Sequence, residues 1–198
     1  MNPEYWDPLT FDHAMRMVVG MDCDLVKFTQ STERHMAVIN RYWDGKGRVL
    51  DYGCGIGRLT RRLALTADEV VGADISQGML NYAREVARSG NTKWYLIEGL
   101  PILYPDKFFD FGLCFLVLEH LNKAEAKAVV DEIRRLCKSY LLELSAFGNP
   151  NNTIAKPQAG FPASNLSWSQ GEIPDSWGQV NLWDDNGLNR WLVYRGPE

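Results

Sequence analysis

The 198-residue chain is poor in metal-binding side chains: four cysteines (Cys23, Cys54, Cys114, Cys137) form no C-x-x-C pair, and three histidines (His13, His35, His120) lie far apart. No structural zinc site or other metal centre is expected from such spacing. The cysteines read as packed, reduced thiols, which fits a cytoplasmic protein. No apolar run approaches the roughly 20 residues that span a bilayer. The stretch Met1-Asn2-Pro3-Glu4-Tyr5-Trp6 lacks a basic segment followed by an apolar one, so no secretory signal is expected. Cationic excess is missing too. With 21 Lys and Arg against 25 Asp and Glu, the net charge is −4, which offers no general footprint for a phosphate backbone, though a local basic patch stays open. Repeats and low-complexity tracts are absent.

What remains is a chain 45% hydrophobic and 23% charged, near the globular average and long enough for one domain with a sizeable core. Residues 1–198 are read as that single domain. It comprises an N-terminal helical cap (1–43), an alternating core (48–146), an irregular loop (148–179) and a C-terminal hairpin (180–195). In the core, strand-like and helix-like segments alternate, the pattern of an α/β fold with a mainly parallel sheet. Arg48–Asp51 reads as a strand ending in glycines. Leu59, Leu63 and Ala64 mark a helix running to about Ala67, and Val70–Asp74 is a second strand. Ser76 caps a helix whose apolar positions Met79, Leu80, Ala83, Val86 and Ala87 recur until Gly90. Lys93–Glu98 and the almost wholly apolar Phe111–Leu118 are further strands.

Asn122 and Glu125 form a capping-box start for a helix buried through Val129, Val130, Ile133 and Leu136, and Tyr140–Ser145 follows as the fifth strand. In the cap, Met36, Ile39, Tyr42 and Trp43 share a face. The loop is rich in Asn, Pro, Gly and Ser, the composition of a lid or binding loop. Within it Ser169–Glu172 resembles a helix start that Pro174 holds to about one turn. Val180–Asp184 and Leu188–Arg195 flank Asn186-Gly187, a strong signal for a tight hairpin. Four of the seven tryptophans fall in the last 31 residues.

The chemically informative stretch is Val49-Leu50-Asp51-Tyr52-Gly53-Cys54-Gly55-Ile56-Gly57. Glycines between a strand and a helix let a ligand approach the backbone, and ligands of open parallel sheets sit beyond the strands' carboxyl ends. A dinucleotide fingerprint needs its third glycine where Arg58 stands. Asp51, two residues before the glycines, attracts an ammonium rather than a pyrophosphate. Asp74, 17 residues after Gly57, can accept from both hydroxyls of a ribose. A nucleoside amino acid satisfies both acids better than NAD does.

On these residues the sequence resembles the class I S-adenosylmethionine-dependent methyltransferase family, in particular its small-molecule, quinone-biosynthesis-like branch. Val49–Gly57 is similar to the family's first motif and Val70–Ser76 to its second. Glu98–Asp110 resembles its Asp-Ala-Glu-x-Leu-Pro-Phe-x-Asp-x-x-Phe-Asp segment, and Val117–Leu121 the end of its fourth motif. The resemblance implies a three-layer α/β sandwich on a seven-stranded, mostly parallel Rossmann-like sheet with an antiparallel last strand. It implies S-adenosylmethionine as methyl donor and S-adenosylhomocysteine as product, held by Arg34, Asp51, Gly53, Cys54, Gly55, Asp74, Ile75, Glu98, Gly99 and Phe115. Asp74 would take the ribose, Glu98 the adenine amino group, the Gly99 N–H an adenine nitrogen and Arg34 the cofactor carboxylate. Glu98 replaces the family's commoner Asp, Leu116 stands where quinone-type enzymes often carry a polar residue, and the irregular loop replaces the usual helix between strands five and six.

Several residues carry two readings. Asp51 either orients the methionine amino group or caps the turn, and Arg34 either pairs with a carboxylate or lies solvated on its helix. His120 is either a general base or a helix-start histidine without a catalytic task. Tyr5, Trp6, Phe11 and Phe28 form an aromatic lid or pack ordinarily. Trp183 and Trp191 are expected in the core, whereas Trp168 and Trp177 either line an acceptor pocket or pack. Arg58, Arg61 and Arg62 read as a solvated helix face.

A small-molecule acceptor is expected. Protein or RNA stays open, because no inserted cap domain encloses the site. DNA is disfavoured, since the fourth strand lacks the Asn/Asp-Pro-Pro-aromatic motif and no Pro-Cys pair is present. Two alternatives remain: a non-catalytic S-adenosylmethionine-binding regulatory or partner protein, and non-methyl chemistry on the same cofactor. Exposed Trp168 and Trp177 beside a concave pocket would speak for catalysis, and a filled surface for the binding module.

Overall fold

The computed structural model describes residues 3–20, 22–146, 166–185 and 188–197. They divide into two compact units, residues 2–102 and 103–198.

The first unit runs from a 3-10 turn at Pro3–Trp6 through α1 (Phe11–Val19), α2 (Leu25–Ile39), β1 (Arg48–Tyr52), α3 (Thr60–Leu63), β2 (Glu69–Asp74), α4 (Gln77–Val86) and β3 (Thr92–Leu96). Its strands lie parallel in the order β3-β2-β1, with Val49 opposite Val70 and Val70 opposite Thr92. Polar side chains start the longer helices as expected of N-caps. Thr10, Asp24 and Ser76 accept from the backbone N–H of His13, Lys27 and Met79.

Helices α1 and α2 do not stand apart from the core. Ala14, Met15, Cys23 and Phe28 are buried in one cluster with Ile56 from the glycine turn and Met79 from α4. Burying side chains such as Met15, Phe28, Ile56 and Met79 stabilises by roughly 1.5–3 kcal/mol each. Trp6 and Phe11 pack at its edge, Phe11 edge-on to Tyr82, whereas Tyr5 is exposed. Met36, Ile39 and Trp43 are buried, as their shared face predicts.

Three expectations shift here. The helix after the glycines is one turn, Thr60–Leu63, followed by turns to Thr66, although Leu59, Leu63 and Ala64 are buried as expected. Helix α4 ends at Val86, which is exposed, so Gly90 is not its stop. Arg58 is 5% exposed, its Nη2 2.8 Å from His35 Nδ1, so only Arg61 and Arg62 of the basic run lie toward solvent. A guanidinium hydrogen-bonded to a buried imidazole is held inside by tertiary structure that no helical period encodes.

The second unit holds β4 (Phe109–Cys114), a 3-10 turn at Leu118–His120, α5 (Lys123–Leu136), β5 (Cys137–Ser145), 3-10 turns at Gln170–Glu172 and Asp175–Trp177, then β6 (Gln179–Asp185) and β7 (Leu188–Arg195). The order is β4-β5-β7-β6, with β4 and β5 parallel and β7 antiparallel to both its neighbours. The expected strand over Phe111–Leu118 is shorter at its end, because Leu116 turns the chain with φ +57°. The capping box at α5 is present in both directions, Asn122 Oδ1 accepting from Glu125 N and Glu125 Oε2 from Asn122 N. Gln170–Glu172 is the single expected turn, closed by its own Ser169–Glu172 box. The expected Asn186-Gly187 hairpin turn and residues 147–165 of the irregular loop lie outside the described residues.

Of the two readings of Trp168 and Trp177 the structure takes packing, while Trp183 and Trp191, expected in the core, depart from expectation. Trp168 and Trp177 are 4% and 2% exposed with ring centroids 5.5 Å apart, whereas Trp183 and Trp191 are only half buried. Lys123 Nζ lies 5.4 Å from the Trp168 ring centroid and pairs with Glu172, and Trp191 Nε1 donates to the Trp168 carbonyl. An irregular segment thus packs through aromatic rings where strand positions leave theirs half open.

Candidate active site

In the first unit the carboxyl ends of three adjacent parallel strands carry the sequence-predicted residues: Asp51 at the end of β1 and Gly53 to Gly57 after it, Asp74 and Ile75 at the end of β2, Glu98 and Gly99 after β3. Backbone bonds pin these ends together. Gly53 and Cys54 N–H both donate to the Ala73 carbonyl, at 2.7 and 3.0 Å, and Ile97 N–H donates to the Asp74 carbonyl at 2.8 Å. The glycine turn is built from positive φ. At Gly57 (φ +73°) a Cβ would also stand 2.7 Å from a Trp94 ring carbon, so no larger residue fits without moving β3's tryptophan. At Gly55 (φ +53°) a Cβ would meet Val18 of α1 at 2.8 Å.

Asp74 is the centre of the arrangement. It is 8% exposed, with Gly55 N–H donating to Oδ2 at 2.8 Å and Ser76 N–H to Oδ1 at 2.9 Å. Each oxygen thus receives one bond from a neutral donor and keeps lone-pair capacity for another. Burial pushes its pKa up, against those backbone bonds. Asp51 is 3% exposed and takes a 2.6 Å bond from Thr60 Oγ1. Burial raises its pKa to about 6, opposed by the Thr60 bond and the Arg58 charge. Both acids sit where a bound cation or hydroxyl pair would recover desolvation cost already incurred in folding.

Cys54 is buried, its thiol pKa pushed well up by burial, so it contributes backbone rather than a reactive sulfur. Glu98 and Gly99 are exposed, and a Cβ built on Gly99 would meet nothing within 4 Å, leaving room at the place read for an adenine. Arg34 is half buried on α2. Sequence reasoning missed Asp7, whose Oδ1 accepts from Ser76 Oγ at 2.6 Å and from Gly78 N–H at 3.1 Å. It also missed Thr60 beneath Asp51. An acid nearly 70 residues from its partner leaves no local sequence signal.

Phe115 and His120 belong to the second unit, after β4. Phe115 is buried, its ring centroid 6.4 Å from that of Trp183. His120 Nε2 is 3.7 Å from Glu119 Oε1, and its side chain is 13% exposed. Around them lies a buried charge cluster that the sequence reading passed over. Arg190 Nη1 pairs with Glu119 Oε2 and lies 3.3 Å from Ser145 Oγ, and Arg190 Nε is 3.1 Å from Glu143 Oε1. Glu143 Oε2 also accepts from Leu116 N–H at 3.2 Å, at the residue with left-handed backbone. The signal was present: an acid inside Leu141-Leu142-Glu143-Leu144 must find a partner once buried.

A family model described as "Methyltransferase domain" matches residues 49–140. Ubiquinone biosynthesis O-methyltransferase of Methylococcus capsulatus is 30% identical over 227 residues, 98% of this chain and 90% of that protein. Demethylmenaquinone methyltransferase of Tropheryma whipplei is 37% identical over 109 residues, 54% of this chain and 44% of that protein. The chain spans about half the length of several curated relatives it matches. Among solved structures, magnesium protoporphyrin IX methyltransferase from Synechocystis with bound SAH superposes with a TM-score of 0.69 at 21% identity, covering 97% of this chain and 96% of that one. The PH0226 protein of Pyrococcus horikoshii gives 0.73 at 20% identity over 92% and 96%. At such identity the likeness establishes the fold: a seven-stranded, mostly parallel Rossmann-like sheet with an antiparallel last strand.

Proposed function

The chain belongs to the class I S-adenosylmethionine-dependent methyltransferase family, and from that premise we propose that it transfers a methyl group to a small-molecule acceptor in the cytoplasm, residues 1–198 acting as one domain. The observation that carries the reading is Asp74, buried at the end of β2 with each carboxylate oxygen held by one backbone N–H of the glycine turn or the α4 start. The residues fit the donor. The turn around Gly53, Cys54 and Gly55 exposes backbone, Asp74 has acceptor capacity for two ribose hydroxyls, and Gly99 is open where an adenine edge would lie.

S-adenosylmethionine supplies an activated methyl group on a sulfonium, so the protein's contribution is chiefly orientation and exclusion of water. On this reading Asp74 fixes the ribose, with Ile75 beside it. Glu98 and the Gly99 N–H take the adenine. Asp51 attracts the cofactor's ammonium group, and Arg34 its carboxylate. Helix α1, packed against the turn through Val18, shields that end from solvent. Phe115 supplies an apolar wall. His120, next to the Glu119 carboxylate, is the candidate to accept a proton when the acceptor must lose one. Trp168 and Trp177 are buried against each other rather than exposed. That burial is also what the alternative of a non-catalytic binding protein had called for. The small-molecule acceptor is supported by relatives named for ubiquinone and demethylmenaquinone methylation.

Calorimetric titration with S-adenosylmethionine, S-adenosylhomocysteine and NAD tests the donor site. Micromolar binding of the first two and none of NAD is expected. Asp74→Ala should weaken S-adenosylmethionine by about 1.5–3 kcal/mol, the scale of lost bonds to a charged acceptor. Equal affinity in the variant would remove the ribose from Asp74. Binding without product formation across an acceptor screen would favour the non-catalytic reading.

A further inference from the structure

The second unit has a cavity of about 200 Å³ that the methyl-transfer reading does not use, lined by Lys107, Asp131, Arg134, Arg135, Tyr140 and Arg195. It lies at the amino end of the parallel pair β4–β5: Lys107 precedes β4, Arg134 and Arg135 end α5, and Tyr140 is early in β5. Phe115 to His120 leave β4 at its opposite, carboxyl end. In a protein of net charge −4, four cations here face one carboxylate.

The cations are not equally neutralised. Arg135 is clamped by Glu132 and Asp106 as well as by the Tyr104 carbonyl. Lys107 Nζ donates to the carbonyls of Arg134 (3.0 Å) and Cys137 (3.2 Å), so its ammonium is fixed in place by uncharged acceptors. Arg195 Nη1 donates to the Ser176 carbonyl at 2.9 Å. Asp131 is 3.4 Å from Arg134 Nη1 but only 2.5 Å from Lys127 Nζ, so a single carboxylate serves two cations. Tyr140 OH is spent on the Trp177 carbonyl at 2.5 Å and adds an aromatic wall rather than a donor. With Arg135 matched by two carboxylates, what the cavity offers an oxyanion is the Lys107 ammonium, held by carbonyls, and the Arg134 guanidinium, which shares Asp131 with Lys127.

We propose that this cavity binds a small phosphate-type oxyanion, either free phosphate or the phosphate of a small phosphomonoester, at a site separate from methyl transfer. Lys107 and Arg134 supply the principal donors, and the proposal stands whether or not the methyltransferase reading does.

The test titrates the full chain with inorganic phosphate at low ionic strength by calorimetry, with sodium chloride at matched ionic strength as control. Glycerol 3-phosphate in a parallel arm separates a phosphomonoester from free phosphate, according to which binds more tightly. Saturable binding of either, weakened at least tenfold by Arg134→Gln and largely retained by Arg134→Lys, is expected. Far-UV circular dichroism and the Tm of Arg134→Gln should match those of the parent chain, which shows that the variant is folded. Lys107→Gln, checked by the same control, should weaken phosphate comparably. No saturable binding to the parent chain, equal suppression and mimicry by chloride, or unchanged phosphate affinity in a folded Arg134→Gln would each overturn the proposal.

Discussion

Both units bury carboxylates near the ends of their strands, but they hold them differently. In residues 2–102, Asp51 and Asp74 are satisfied by uncharged donors: a threonine hydroxyl for one, two backbone N–H groups for the other. Burial outweighs those bonds, and both pKa values rise. In residues 103–198, Glu119 and Glu143 meet a guanidinium, that of Arg190. An acid held mainly by dipoles keeps a field that a ligand can answer: at Asp51 the Arg58 charge offsets burial only in part. An acid already matched by an arginine has spent that capacity on the fold. The contrast separates carboxylates held by dipoles from carboxylates locked to a cation within the scaffold.

The lock can be broken first, with the largest effect. Arg190→Met should leave Glu119 and Glu143 buried without their cation, costing about 3–5 kcal/mol. For a chain of this size that corresponds to a fall of roughly 6–20 °C in Tm by scanning calorimetry. The affinity for S-adenosylmethionine, measured below the new midpoint, should hardly change. A Tm within 2 °C of the parent's would show that Arg190 is not what keeps these carboxylates inside. A collapse of cofactor affinity at unchanged Tm would move the cluster from scaffold to site.

The difference between the units also explains what could be read in advance. Gly53, Gly55, Gly57 and Asp74 were legible because backbone sterics and strand length act within about 20 residues of chain. The same holds for the Ser76 cap and the Asn122–Glu125 box, which follow from local signals in sequence, whereas the sheet's arrangement was legible only through the family resemblance. Arg58 beside His35, Asp7 on Ser76 and Arg190 between two glutamates join residues 23, 69, and 47 or 71 positions apart. Periodicity carries no information about such pairs. Trp183 and Trp191 misled for a related reason, and Trp168 and Trp177 carried two readings. An Asn/Pro/Ser-rich composition signals irregular backbone, yet irregular backbone can still deliver large rings into a core, while hairpin positions of a sheet's outer strands need not be covered.

Asp51 sharpens the comparison through pH. Its carboxyl titrates near 6 in the folded chain against an ordinary 3.8, so the folded state binds the extra proton between those values. Stability should therefore fall as pH rises from about 4 to about 6, and level off above, where both states are ionised. Asp51→Asn should flatten that part of the stability curve while keeping an acceptor for Thr60. Cofactor binding should run the opposite way. If an ammonium answers Asp51, S-adenosylmethionine affinity should climb several-fold between pH 5 and 6.5 and then plateau, and the climb should shrink in the Asn variant. Affinity independent of pH across that range would leave Asp51 as a turn-stabilising residue only.

The smallest expected effects compare the two helix starts. Asn122 and Ser76 both cap through side-chain oxygens, but Ser76 Oγ also donates to Asp7 and so ties the N-terminal segment to α4. Asn122→Ala should cost about 1 kcal/mol, the ordinary loss of a cap, seen as a Tm lower by roughly 2–4 °C. Ser76→Ala removes the cap and the Asp7 bond together and should cost more, by about another 0.5–1.5 kcal/mol. The discriminating partner is Asp7→Ala. In a double-mutant cycle with Ser76→Ala it should be strongly non-additive, because the two residues share one hydrogen bond, whereas with Asn122→Ala it should simply add. Additivity in both cycles would mean that Asp7 holds α4 through the Gly78 N–H alone, and that the N-terminal helices are kept on the glycine turn by the Met15, Phe28, Ile56 and Met79 cluster rather than by a polar tie.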